Sequence, residues 1–160
     1  MHTTDLTSIP TAAELMNPAV HALSADEQLI DAAQNILAHG YSCAPVVEGE
    51  RVVGVLSERD AIREYAAVAF HGARGGVVRD AMSEAVTVAP SDGLFQLVDH
   101  FTQRDVRRVF VIAEDGRLLG LITRSDVLRR LEAMRAERER APHASTYDTI
   151  AAQHARDMTE

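Results

Sequence analysis

The stretch Gly54-Val55-Leu56-Ser57-Glu58-Arg59-Asp60 is written a second time, in a conservative variant, as Gly120-Leu121-Ile122-Thr123-Arg124-Ser125-Asp126. Each copy contains a glycine, a short apolar run, a hydroxyl group and, three residues after the hydroxyl, a carboxylate. A short, bounded apolar run is typical of a buried strand, and the residues after each copy begin a helical pattern. The two copies, which we call the first and second signatures, therefore predict two similar strand-to-helix junctions.

The hydroxyl and carboxylate of each signature have two alternative interpretations. In the structural one they form a capping box, with Ser57 accepting from a backbone N–H and Asp60 reaching back to the start of the helix. In the binding one the carboxylate accepts from sugar hydroxyls, while the N–H groups at the helix N-terminus face a phosphate. One isolated copy would favour the cap, because caps are common. The repetition makes the binding alternative worth testing, and one junction can serve both purposes.

The duplication extends well beyond the signatures. Met16 matches Met82 and Gly54 matches Gly120 at an offset of 66 residues, whereas the helical positions between them match at an offset of 65. The one-residue slip is cancelled in a hairpin loop that is one residue shorter in the first copy. Small changes of loop length are what two copies of one fold unit tolerate.

Each copy contains the same five elements, in the order β-α-β-β-α. A short extended piece, at residues 19–23 and 85–89, leads to a predicted helix start at Ser24 or Ser91. The first helix has apolar residues at i, i+3, i+4, i+7 and i+8, and Gly40 is a typical helix stop. A hairpin of two apolar strands around a glycine-containing turn follows. A closing helix ends each copy, at about residues 58–70 and 125–138.

The domain organisation follows from these elements. A unit of three strands and two helices leaves an apolar sheet face uncovered, so we expect the two copies to pack on each other. The last segment has Ile150 and Ala151 as its only obvious candidates for burial. The predicted divisions are an N-terminal arm (1–12), a first repeat (13–71), a linker (72–78), a second repeat (79–134) and a C-terminal helical extension or tail (135–160).

Composition limits the class of protein. The 160 residues are 46% apolar and 25% charged, which is a globular composition, and no apolar run is long enough to span a bilayer. The first residues lack the features of a secretory signal, so the sequence predicts a cytoplasmic protein. A net charge of −8, no Trp and 4% aromatic residues argue against a protein that binds nucleic acid through its overall charge or by base stacking.

Catalytic and metal-binding patterns are lacking in the sequence. Cys43 is the single cysteine, so an internal disulfide is impossible, and no Cys-His pairing is written near it. The seven histidines do not follow the spacing of a metal site. Residues 72–76 lack the Gly-Lys-[Ser/Thr] ending of a phosphate loop, and residues 129–140 mix both charges as a solvated helix face does. We therefore predict that the chain is not an enzyme and requires no metal or cofactor.

The duplicated pattern resembles a tandem pair of CBS domains, the arrangement called a Bateman module. The resemblance covers residues 13–134 and is carried by the doubled Met-x-x-x-Val segments, the strand start at Ala44-Pro45-Val46-Val47 and the doubled signatures. It implies an α+β fold in which two β-α-β-β-α repeats pack through their sheets about a pseudo-two-fold axis. It also implies two clefts that bind adenosine-containing ligands such as AMP, ADP or ATP, and dimerisation into a disc.

The resemblance also assigns site residues. It places Asp60 and Asp126 on ribose hydroxyls, and Ser57 and Thr123 on ribose or phosphate oxygens. It allows Arg59 and Arg124 to face a phosphate. The residues that it places near the base are Val20, Ser42, Cys43, Ala44, Val86, Thr87, Arg107, Arg108 and Val109.

Arg107 and Arg108 depart from the small residues at the matching positions of the first repeat, so they would serve a phosphate or the neighbouring cleft. The two clefts are therefore not expected to be equivalent. Because both arginines belong to the second repeat, we expect the cleft around Thr123 and Asp126 to hold an anionic nucleotide if only one cleft does.

The sequence thus predicts a regulatory module that binds an adenosine nucleotide and signals to a partner protein. The alternative is a structural or interaction module that binds no ligand and docks a partner. A homodimer is expected in either case.

Overall fold

The structure, a computed structural model, describes residues 9–72 and 74–140. The predictions for the first eight residues of the N-terminal arm, for residue 73 of the linker and for the segment with Ile150 and Ala151 lie outside these ranges. The chain divides into two units, residues 1–127 and residues 128–160.

The predicted order β-α-β-β-α is confirmed in both repeats, and a short helix that the sequence did not predict precedes each one. We call these short helices, α1 and α4, the lead helices. The first half of the chain contains α1 (Ala12–Leu15), β1 (Leu23–Ser24), α2 (Leu29–His39), β2 (Cys43–Glu48), β3 (Arg51–Ser57) and α3 (Glu58–His71). The second half contains α4 (Val78–Ala81), β4 (Thr87–Val88), α5 (Leu94–Gln103), β5 (Arg108–Ile112), β6 (Leu118–Thr123) and α6 (Arg124–Arg140).

Each repeat forms its own three-stranded sheet, in the order β1-β2-β3 or β4-β5-β6. The first pair of strands in each sheet is parallel and the second is an antiparallel hairpin. The register pairs Cys43 with Ser57 and Arg108 with Thr123. The start of the central strand therefore lies beside the hydroxyl of the signature in both repeats.

The predicted helix start at Ser24 is wrong, because α2 begins at Leu29. The Glu27 carboxylate accepts a hydrogen bond of 2.9 Å from the backbone N–H of Ser24, so these residues form a separate turn before the helix. The second repeat shows a similar displacement, with α5 beginning at Leu94 rather than Ser91. The predicted stop at Gly40 is confirmed, since this residue ends α2 in the left-handed conformation with φ 64°.

The first strand of each repeat is shorter than the predicted extended piece. Leu23 and Ser24 pair with Val46 and Val47 of β2, and the next residue, Ala25, donates its N–H to the Val47 carbonyl at 3.0 Å. The segment before them pairs with the second repeat instead. Asn17 exchanges two backbone hydrogen bonds, of 2.9 and 3.0 Å, with Leu121 of β6. The sequence pattern does not distinguish an extended segment that joins its own sheet from one that joins another.

The lead helices are exchanged between the repeats. The Ala12 N–H of α1 donates to the Asp92 carbonyl of the second repeat at 2.7 Å. In the equivalent place, the Val78 N–H of α4 donates to the Glu27 carbonyl of the first repeat at 3.0 Å. Ala12 and Val78 are both fully buried. The two halves of the first unit are thus related by approximate two-fold symmetry and complete each other.

The core of the first repeat lies between its sheet and α2. It includes the α4 residue Val78, whose apolar side chain is completely removed from water. Full burial of a valine or leucine side chain stabilises a fold by about 1.5–3 kcal/mol. The burial of Val78 therefore stabilises the packing of α4 against the first repeat. The other buried members are Leu23, Ala25, Leu29, Ala32, Ile36, Ala44, Val46 and Leu56.

The second unit begins within α6 and is described to residue 140. Its helix carries ion pairs between exposed side chains: Arg135 lies 2.7 Å from Glu132 and also pairs with Glu139. Pairs three and four residues apart stabilise a solvated helix modestly. None of the helices in residues 9–72 and 74–140 has both the length and the apolar character needed to cross a membrane.

Candidate functional site

A cavity of about 320 Å³ lies where the first signature meets the second repeat. A volume of roughly 300–1,000 Å³ is usual for small-molecule sites. Its first-repeat walls are the start of β2 and the junction between β3 and α3. The lining residues are Ser42, Cys43, Val55, Ser57, Glu58, Arg59, Glu84, Val86, Asp105, Val106, Arg107, Arg108 and Phe110.

The capping alternative is confirmed in both signatures. In the first, Asp60 Oδ2 accepts from the Ser57 N–H at 3.0 Å and from Ser57 Oγ at 2.6 Å, and the Asp60 N–H donates to Ser57 Oγ at 3.3 Å. In the second, Thr123 and Asp126 repeat these contacts at 2.8, 2.6 and 3.3 Å. The capping box fixes the direction of α3, and so brings Ser57 to the cavity.

Asp60 also joins the two repeats. Its other oxygen, Oδ1, accepts from the hydroxyl of Ser83 at 3.1 Å, and the residue is only 8% exposed. Asp60 is not among the residues that line the cavity. A carboxylate has about four acceptor positions, so Asp60 retains capacity for a further donor.

The strand starts of the two repeats meet directly. Arg108 Nη1, at the start of β5, donates to the Cys43 carbonyl at 2.9 Å and lies 3.4 Å from Cys43 Sγ. Burial raises the pKa of the Cys43 thiol above its usual value, while the positive charge of Arg108 acts in the opposite direction. Cys43 is therefore a protonated thiol at neutral pH rather than an activated nucleophile.

The cavity contains both signs of charge. Arg108 is half-buried, whereas all the other charged lining residues are exposed. Asp105 is paired with Arg124, whose Nη2 lies 3.3 Å from its carboxylate. Arg108 is thus the charge that the fold holds most firmly in place. The exposed charged residues are Glu58, Arg59, Glu84, Asp105 and Arg107.

The structure brings together about half of the residues that the resemblance assigned. Those that line the cavity are Ser42, Cys43, Ser57, Arg59, Val86, Arg107 and Arg108. Those outside it are Val20, Ala44, Asp60, Thr87, Val109, Thr123, Arg124 and Asp126. Of the second group, Ala44 and Val109 are buried in the core, and Thr87 lines a separate, open cavity of about 690 Å³.

Sequence reasoning missed several lining residues. The place of Val55 in the cavity could have been predicted, because alternate residues of a strand share a face and Ser57 follows Val55 by two positions. The other residues except Glu58 come from the second repeat, and no local pattern shows which side chains cross between repeats. The residues that were missed are Val55, Glu58, Glu84, Asp105, Val106 and Phe110.

Two proteins illustrate the sequence similarity of the chain. The chain is 29% identical over 125 residues to hypoxic response protein 1 of Mycobacterium tuberculosis, covering 76% of this chain and 85% of that protein. It is 31% identical over 122 residues to the A-adding tRNA nucleotidyltransferase of Geobacter sulfurreducens, again over 76% of this chain. It spans only 13% of that enzyme's length.

A solved structure has the same fold. CBSX2 of Arabidopsis thaliana, in complex with AMP, superposes with a TM-score of 0.68 at 24% identity, over 78% of this chain and 98% of that one. The family model described as "CBS domain" matches residues 12–67 and 78–133. With its exchanged lead helices, doubled signatures and paired sheets, the chain belongs to the CBS domain family, as a tandem pair of CBS domains.

Proposed function

We propose that this CBS pair is a regulatory module that binds an adenosine-containing ligand, with AMP, ADP and ATP as the first candidates, in the cavity over Ser57. The observation that carries the proposal is the make-up of that cavity. It combines the capped N-terminus of α3, an apolar wall and the fixed guanidinium of Arg108. The proposed function is regulatory: it includes no catalytic role and no required cofactor.

Each part of such a ligand has a suitable partner. A planar base needs an apolar slot, which Val55, Val86 and Phe110 supply. A phosphate is stabilised by the positive end of a helix N-terminus, here that of the 14-residue α3. Because the N–H groups of Glu58 and Asp60 already donate to the Ser42 carbonyl and to Ser57 Oγ, the guanidinium of Arg108 is the hydrogen-bond donor that we assign to the phosphate. Ribose hydroxyls need acceptors, and Asp60, which does not line the cavity itself but bonds to the lining residue Ser57, retains one acceptor position for a hydroxyl that reaches it. The AMP complex of CBSX2, a protein of the same fold, supports this ligand class.

The proposal is tested by calorimetry and thermal denaturation of the whole chain with adenosine, AMP, ADP and ATP. A ligand at a hundred times its dissociation constant should raise the free energy of unfolding by about 2.7 kcal/mol. Guanosine nucleotides are the matched controls for charge. If none of the adenosine compounds shifts the melting temperature, the ligand proposal is wrong.

Substitutions of the two signature carboxylates locate the ligand. Asp60→Ala should abolish the shift caused by the ligand, while Asp126→Ala keeps it if only the cavity over Ser57 is occupied. Each substitution also removes a cap and should cost about 1 kcal/mol of stability in the absence of ligand. A loss of stability without any change in affinity would leave the carboxylates with a capping role alone.

Signalling requires that the ligand prefer one arrangement of the repeats over another. The cavity is lined from both repeats, so a ligand there contacts both sides of their interface. We propose that binding changes the relative orientation of the repeats, and that a partner protein in the cytoplasm recognises the change.

A structural or interaction module is the second candidate function. One observation favours it: both oxygens of Asp60 already have partners within the protein, Ser57 and Ser83. In this case the signatures act as caps, and the surface of the module docks a partner. The ligand panel decides between the two functions.

We further propose that the module forms a homodimer through a groove between α2 and α3. The groove has a volume of about 310 Å³, and its lining is apolar apart from Glu58 and the Tyr65 hydroxyl. Leu37 and Ile62 on its rim are each 68% exposed. Exposed apolar patches of this kind mark interaction sites, and a two-fold axis lets one patch meet its own copy.

The dimer is tested by light scattering after gel filtration. The wild-type protein should have the molecular mass of two chains, and the Ile62→Glu variant should have the mass of one chain. Val53→Glu, on an exposed position of β3, is the matched control and should leave the mass of the dimer unchanged. A monomeric wild-type chain at micromolar concentration would contradict the proposal.

A further inference from the structure

Arg108 and Cys43 occupy equivalent positions in the two repeats, 65 residues apart, and their contact is therefore one between a residue and its own counterpart. We propose that Arg108 determines which cleft of the pair accepts an anionic group. It does so by crossing from the second repeat into the cavity over Ser57, so that each chain binds one phosphate-bearing ligand with high affinity. This inference rests on the proposed adenosine-binding function.

The direction in which Arg108 points is the first step. Its backbone pairs with Thr123, so the residue begins beside the second signature. Its guanidinium, however, lies on Cys43, which pairs with Ser57 of the first signature. The positive charge of Arg108 therefore lies in the cleft of the first signature, although the residue belongs to the second repeat.

The fixed position of Arg108 is the second step. The carboxylates Glu58 and Glu84 also line the cavity, but both are exposed and turn to solvent at little cost, and Asp105 is paired with Arg124. Both contacts of Arg108 to Cys43 use Nη1. Its Nε and Nη2 carry the other three of the five guanidinium N–H donors, in the planar arrangement that suits a phosphate.

The lack of a reciprocal charge is the third step. At the position equivalent to Arg108 the first repeat has Cys43, a short, uncharged side chain that itself lines the cavity over Ser57 and so brings no charge to the second signature. Only one of the two clefts can therefore have Arg108. This replaces the expectation that the cleft around Thr123 takes the anionic nucleotide, which rested on the proximity of the arginines along the chain.

The first experiment compares AMP with adenosine by calorimetry in wild type and in Arg108→Ala. The affinity for AMP should fall at least about tenfold, because hydrogen bonds to charged groups are roughly twice as strong as neutral ones, while that for adenosine changes by less than about threefold. Arg63→Ala removes an exposed charge from α3 outside the cavity lining and should change both affinities by less than about twofold.

The second experiment exchanges the two residues, as Cys43→Arg with Arg108→Cys, and locates AMP with a blocking substitution. Val86→Trp fills the cavity over Ser57, and Val20→Trp is its equivalent in the other half of the chain. In the wild-type background Val86→Trp should abolish AMP binding and Val20→Trp should not. In the exchanged background the two effects should be reversed, and circular dichroism confirms that each variant is folded.

The outcomes separate the inference from the proposed function. If neither adenosine nor AMP binds wild type, both are wrong. If both ligands bind and Arg108→Ala weakens them equally, or if the exchange leaves AMP in the same cleft, only the inference about Arg108 is overturned. Two AMP molecules per wild-type chain with equal affinity would overturn it as well.

Discussion

Replacing Phe110 by alanine is expected to lower the free energy of unfolding by about 3–5 kcal/mol, the usual cost of truncating a buried aromatic side chain. Phe110 is 2% exposed at the centre of β5, and its N–H donates to the Val86 carbonyl at 2.9 Å. A loss of this size is a large part of the roughly 5–15 kcal/mol that keeps an ordinary domain folded. Urea denaturation followed by circular dichroism measures it.

Phe110 also lines the cavity, so this variant tests whether the site depends on the core. Phe95→Ala is the matched control, because Phe95 is 62% exposed on α5 and its loss should stay within about 0.5 kcal/mol. Equal denaturation midpoints for the two variants would show that the packing around β5 does not depend on Phe110.

Gly54→Ala should destabilise the chain by about 1–3 kcal/mol, since it inserts a methyl group into a fully packed contact. The new Cβ would lie 2.7 Å from Met82 Sδ and 2.9 Å from the Ser83 carbonyl. Methionine can move, but Ser83 is fixed by two backbone hydrogen bonds of 2.9 Å to Val55. The substitution therefore forces the chain after α4 away from β3, which thermal denaturation will detect.

A second substitution separates the two contacts. Met82 packs against the core, so Met82→Ala alone is destabilising; in the double variant with Gly54→Ala the total loss should be smaller than the sum of the two single losses, yet larger than that of Met82→Ala, because the backbone clash with Ser83 remains. Gly93→Ala, whose Cβ would meet nothing closer than 3.6 Å, should cost less than about 1 kcal/mol. A Gly54→Ala variant as stable as wild type would mean that the segment after α4 does not approach β3 this closely.

The fold could be predicted from sequence because its signals are local and written twice. The apolar run ending at Ser57, the capping carboxylate Asp60 and the helix stop at Gly40 each depend on neighbours within a few residues. The same pattern at offsets of 65 and 66 residues then showed that the unit is duplicated. The helix start at Ser24 was misplaced because a serine followed by acidic residues favours a turn as much as a helix.

The candidate site was predicted less well because it depends on contacts between the repeats. Arg108 was expected to serve a phosphate or the neighbouring cleft, but the sequence does not show which of the two, nor that its guanidinium contacts Cys43. Asp60 was recognised as a binding candidate, but its contact with Ser83 joins positions 23 residues apart in different repeats. Periodicity shows which face of a strand is apolar, not which strand or helix will cover it.

The exchange of the lead helices has a consequence for how such a chain arises. A single repeat with its own lead helix could not bury that helix against itself, and the space filled by Val78 would be left open to water. It would need a second copy of itself, and the two would assemble as a swapped pair. Joining the copies in one polypeptide makes the encounter intramolecular, at an effective concentration of about millimolar. Once joined, the halves no longer need to be identical, which allows one position to hold a cysteine and its counterpart an arginine.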